Sequence, residues 1–77
     1  MILISDEDKR YLIDKIPETK KCFDGGKTND LLDIIDIWFL EGNGFAPPDY
    51  YDYNDEGRAM QRVRDRIYED NVLPARQ

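Results

Sequence analysis

Leu31-Leu32-Asp33-Ile34-Ile35-Asp36-Ile37-Trp38-Phe39-Leu40 is the stretch on which the fold turns. At about 100° per residue, Leu31, Leu32, Ile35, Trp38 and Phe39 gather on one broad face, with Ile34 at its edge. Asp30, Asp33 and Asp36 recur on the opposite side. This pattern predicts a central core helix that starts at Thr28 or Asn29 and stops at Gly42, in a C-cap position.

Working toward the N-terminus, residues 18–28 carry Gly25-Gly26 among Lys20, Lys21, Asp24 and Lys27, and read as a turn-rich connection from which Cys22 and Phe23 tuck inward. Before it, Ser5 followed by Asp6, Glu7 and Asp8 reads as an N-cap with carboxylates at the positive helix end. Leu12, Ile13 and Ile16 form the apolar stripe of this first helix, with Tyr11 at its margin, and Pro17 closes it. Toward the C-terminus, residues 41–54 turn to Gly, Pro, Tyr and Asp, with Gly42-Asn43-Gly44, Pro47-Pro48 and Tyr50-Tyr51-Asp52-Tyr53 and no Lys or Arg. The two prolines forbid a regular helix there. Asn54 then caps a further helix with Met60, Val63 and Ile67 as its buried stripe, ending near Asn71. The expected fold is all-α, one small three-helix domain over residues 1–77, with a long Tyr/Pro/Asp-rich loop between the second and third helices. Residues 1–4 are read as an extended strap or an extra helical turn, and residues 72–77 as a tail that docks Val72 and Leu73 before fraying.

Composition narrows the chemistry. The 77 residues hold no histidine, one cysteine, 17 acidic against 11 basic side chains and a net charge of -6. A chain of this size buries only about 60% of its unfolded surface, so a deep substrate pocket competes with the core for apolar residues. Without histidine the commonest general base and zinc ligand are missing, and one thiol makes neither an internal disulfide nor a cysteine cluster. The expectation is a non-enzyme with no catalytic residue, cofactor or metal. Met1 to Ile4 has no basic residue before it and no run approaches about 18 apolar residues, which predicts neither a signal peptide nor a membrane span. A cytoplasmic location follows as the expectation, and the unpaired Cys22 fits it. The negative field repels nucleic acid and anionic lipid alike, so no direct contact with either is expected.

Charge is uneven along the chain: zero over residues 1–27, -3 over 28–40, -5 over 41–56 and +2 over 57–77. Asp30, Asp33, Asp36 and Glu41, continued by Asp49, Asp52, Asp55 and Glu56, make an acidic surface that could meet a basic partner or imitate the phosphates of DNA, or simply keep the protein soluble. Ile37 and Leu40 fall among these acids. Either the tyrosine loop or Met1 to Ile4 covers them, or they form the apolar centre of a carboxylate-rimmed patch. Intramolecular cover is the favoured expectation, since so small a domain recruits every apolar residue it has. Tyr50, Tyr51 and Tyr53, near Phe45, suit either packing or a protein-binding loop, with at least one of the three exposed. The candidate partner-binding set is therefore Asp30, Asp33, Asp36, Ile37, Leu40, Glu41, Asp49, Tyr50, Tyr51, Asp52 and Tyr53.

Other constellations are weaker. Arg58, Arg62 and Arg66 make a ridge suited to phosphates, but Asp65, Glu69 and Asp70 interleave with it, Arg66 and Asp70 are spaced for a pair of their own, and the ridge is equally suited to pair with the aspartates of the second helix. Asp49, Asp52, Asp55 and Glu56 lack EF-hand spacing. Asp24-Gly25-Gly26-Lys27-Thr28 lacks the spacing of a phosphate loop and follows no strand. Lys20 and Lys21 beside Cys22 would favour a thiolate, yet a catalytic thiol would have no histidine.

Leu31-Leu32-Asp33-Ile34-Ile35-Asp36, followed by Glu56-Gly57-Arg58-Ala59-Met60-Gln61-Arg62-Val63-Arg64-Asp65-Arg66-Ile67-Tyr68-Glu69-Asp70-Asn71, resembles the small acidic helical proteins of phages and mobile elements of Gram-positive bacteria. The resemblance is one of texture across about two thirds of the chain and carries over no catalytic residue. Characterised members of that group often block a host defence or transcription protein, anti-CRISPR proteins among them. The expected function is thus a protein-binding inhibitor that occupies a basic, nucleic-acid-binding surface of a host protein such as a CRISPR effector. The alternatives are a DNA-associated regulator using the arginine ridge, and a homo-oligomeric module that buries Ile37, Trp38 and Leu40.

Overall fold

The computed structural model describes residues 1–45 and 52–74. Four helices follow one another among them: α1 (Asp6–Lys15), α2 (Thr19–Gly25), α3 (Thr28–Leu40) and α4 (Asp55–Asn71). The all-α class is as the sequence predicts, but the count is one higher. Asp49, Tyr50 and Tyr51 of the candidate set lie outside the described residues.

Helix α1 begins where Ser5, in extended conformation, accepts the Asp8 N–H on its Oγ at 3.1 Å. It stops at Ile16, whose N–H reaches the Leu12 carbonyl at 2.7 Å before Pro17 breaks the run. The expected turn-rich connection is in fact α2. The Lys20 and Lys21 amides bond the carbonyls of Pro17 and Glu18, and these short-range bonds wind the chain directly into a new helix. Gly25-Gly26 terminates that helix: Gly26 adopts φ 65°, and the Lys27 N–H returns to the Cys22 carbonyl at 3.0 Å. Cys22 is buried and Phe23 partly so, as predicted.

Helix α3 ends with the Gly42 N–H on the Phe39 carbonyl and Gly42 at φ 92°. Beyond it the chain returns to α4 through a narrow neck. Phe45 and Tyr53 form an isolated antiparallel bridge with stacked rings 5.0 Å apart, both resting on Phe39, and the Asn54 N–H donates to the Gly44 carbonyl at 2.8 Å. Asn54 caps α4 through Oδ1, which accepts the Gly57 N–H at 2.8 Å.

One core joins all four helices: Leu12 and Ile16, Cys22, Leu31, Leu32 and Ile35, and Met60, Val63 and Ile67. Full burial of each large aliphatic side chain is worth roughly 1.5–3 kcal/mol against exposure, which is what holds helices as short as α2. Ile2 belongs to this core as well. The N-terminal residues are an extended strap, because Asn71 mimics a backbone partner for Leu3: its Oδ1 accepts the Leu3 N–H at 2.7 Å and its Nδ2 donates to the Leu3 carbonyl at 2.9 Å. Val72 packs partly against the core, whereas Leu73 is exposed.

Candidate partner-docking face

Helix α3 packs against α2 and α4, and this fixes what it shows to solvent. Residues three and four apart share a helix side, so Asp30, Asp33, Ile37, Leu40 and Glu41 line up outward together. Ile37 is 52% and Leu40 84% exposed, which overturns the expectation of intramolecular cover. The physical reason lies in where the two candidate covers go. The strap spends Ile2 on the core and Leu3 on Asn71, and the aromatic neck spends Phe45 and Tyr53 on Phe39. Tyr53 is therefore chiefly a packing residue, with about a third of its surface showing.

The acidic array divides in two. Asp36 is not a free docking carboxylate: Arg64 grips it with Nε to Oδ1 at 2.7 Å and Nη2 to Oδ2 at 3.2 Å, and this bidentate pair joins α3 to α4. The same carboxylate raises the pKa of the Arg64 guanidinium through the hydrogen bond they share. Asp55 pairs with Arg58 at 3.1 Å, and Glu56 lies 4.0 Å from Lys15. Asp30, Asp33, Glu41 and Asp52, all exposed, make no ion pair among the described residues. Around Ile37 and Leu40, Asp30, Asp33 and Glu41 thus stand as carboxylates that no cation among the described residues pairs.

The arginine ridge is largely consumed at home. Arg66 does not pair with Asp70 but makes a bidentate contact with Asp8 of α1, both bonds at 2.8 Å. This hydrogen bonding holds the Asp8 carboxyl below the usual carboxylate range. Arg58 is tied to Asp55, leaving Arg62 as the ridge member without an ion pair among the described residues. Cys22 offers no activated thiol, since burial pushes its pKa up, and the neighbouring cation is Lys27 rather than Lys20 or Lys21. No cluster of three metal-ligating side chains forms among the described residues.

A feature missed by the sequence reading is an apolar groove between the α1–α2 corner and α3, where Pro17 and Glu18 face Ile34, Ile37, Trp38 and Glu41. It exists because α2 folds back sharply after Pro17. Pro17 just before the N-cap and Gly26 just past the last helical residue are the punctuation that would have revealed that corner. No protein-family model, no curated protein and no solved structure matches the chain.

Proposed function

We propose that the chain is a non-enzymatic protein-binding module that docks on a basic surface through the outward face of α3. The observation that carries this reading is the exposure of Ile37 and Leu40 in the midst of Asp30, Asp33 and Glu41, which make no ion pair among the described residues. Apolar side chains supply contact area that water disfavours, and a rim of one charge sign selects the partner and its register. Pairing with a second copy is disfavoured, because a two-fold contact through this face would set its carboxylates against their own duplicates. Nucleic acid is disfavoured as well, since Arg58 and Arg66 are already paired and the net charge is -6. In its more specific form the basic surface is a nucleic-acid-binding groove on a host protein, and the module an inhibitor of the kind phages direct at CRISPR effectors. The acidic rim around Ile37 and Leu40 supports that form.

The test is capture from a host extract with immobilised wild-type chain beside a variant carrying Asp30→Lys, Asp33→Lys and Glu41→Lys. Partners should be retained by the wild type, released by salt or by added DNA, and lost to the variant. An identical set of partners on both surfaces rules the reading out.

A further inference from the structure

The groove beside α3 has features of a built receptor, and the argument here rests on the reading of α3 as the docking face. Its lining is apolar where Pro17, Ile34, Ile37 and Trp38 meet, and its mouth carries Glu18 and Glu41. Its volume is about 210 Å³. Cavities of about 150 Å³ accept a benzene-sized group, so one aliphatic side chain fits. A hydrogen bond braces each side of the groove in the unbound chain. The buried Thr19 hydroxyl donates to the Ile16 carbonyl at 2.7 Å on one side, and Asn43 Nδ2 donates to the Trp38 carbonyl at 2.9 Å on the other. A pocket that needs no ordering on binding wastes little affinity. The one basic side chain in the lining, Lys15, faces Glu56 at 4.0 Å, while Glu18 and Glu41 make no ion pair among the described residues.

We infer that this groove is the anchor point of the docking face, taking a single aliphatic side chain from a basic segment of the partner protein while flanking arginines or lysines meet Glu18 and Glu41. Charge selects this occupant over a second copy of the chain. The most exposed aliphatic side chain beside the groove, Leu40, is followed by Glu41, so a copy offering it would bring a carboxylate to a mouth already holding two.

Trp38 is the sole tryptophan and lines the groove, so its fluorescence reads occupancy directly. The full chain is titrated at low salt with acetyl-Gly-Arg-Leu-Arg-Gly-amide, with the same peptide carrying Ala for Leu, and with one carrying Glu for both Arg. A saturable change in Trp38 emission is expected for the first peptide, weaker by about fivefold or more for the second and lost for the third. Glu18→Lys should weaken the first peptide several-fold without altering the circular dichroism spectrum. The inference is overturned by no saturable change, by equal response to the Leu and Ala peptides, or by full binding in Glu18→Lys. A concentration-dependent shift in Trp38 emission without peptide would identify a second copy as the occupant and overturn it too. Leu40 is not in the groove lining, which separates the two readings. Loss of partner capture by Leu40→Lys with a flat peptide titration removes the groove and leaves the α3 face standing. Saturable peptide binding with capture untouched by Leu40→Lys removes the α3 face instead.

Discussion

Gly57 shows how a single hydrogen atom in place of a side chain decides a local outcome. It lies in the first turns of α4, where replacement of Gly by Ala ordinarily stabilises a helix by about 1 kcal/mol. Here a Cβ at Gly57 would run into the Gly44 carbonyl oxygen and stand 2.8 Å from its carbon. Those are backbone atoms, and Gly44, at φ 80°, is held between Gly57 and the Trp38 ring. They cannot swing aside as a flexible side chain would. Gly57→Ala should therefore destabilise the chain by about 1–3 kcal/mol in urea unfolding, the reverse of the propensity effect. Asp8 gives a second outcome at this scale. Arg66 keeps its folded-state pKa below the ordinary 3.8, so the stabilisation is complete above that value and drains away as pH falls through the lower folded value. With half of the Arg66 side chain exposed, the contribution is about 1 kcal/mol. Asp8→Asn should show this deficit at neutral pH, and the gap from wild type should close on acidification below pH 3.8 in parallel urea titrations.

Among the elements, legibility in the sequence tracked the length and capping of each helix. Helices α1, α3 and α4 carry at least ten residues each, enough turns for the apolar period to repeat, and Ser5 and Asn54 announce two of them. Helix α2 has seven residues, so Thr19, Cys22 and Phe23 complete the period barely once, and Gly25-Gly26 reads as easily for a loop as for a helix end. The wheel of α3 alone placed Ile37 and Leu40 among the outward acids but did not show that they stay uncovered, and the fate of Asp36 was not legible either, because a pair between residues 36 and 64 depends on how two helices cross. That crossing has its own test. The Asp36–Arg64 pair is bidentate and half-shielded, with Arg64 27% exposed. Asp36→Asn and Arg64→Gln should each cost about 1 kcal/mol, and the double variant should cost clearly less than their sum, giving a coupling of about 0.5–1 kcal/mol in a double-mutant cycle. Additive costs would mean that Asp36 faces solvent and belongs with the docking acids after all.

At the scale of the whole molecule, the end of α3 carries charge that no internal partner among the described residues answers. Arg58, Arg64, Arg66 and Lys15 all answer carboxylates within the chain, whereas Asp33 and Glu41 answer none among the described residues and add to a net charge of -6. Glu41 also sits at the negative end of α3, and the last turn of that helix has no basic residue to offset it. Leu40, at 84% exposure, contributes little to the core. A face kept only for solubility would have no use for exposed leucine, and a face kept only for stability would not gather like charges at a helix C-terminus. The proposed docking role would account for both. The double substitution Asp33→Asn with Glu41→Gln should leave the melting temperature at low salt no lower than wild type, because it relieves repulsion and removes no ion pair among the described residues. Leu40→Lys should be equally neutral in thermal melts. Both variants should lose partner capture, so the face separates from the scaffold: changes there cost binding and spare the fold. A fall in melting temperature of several degrees in either variant would assign these residues to the architecture instead.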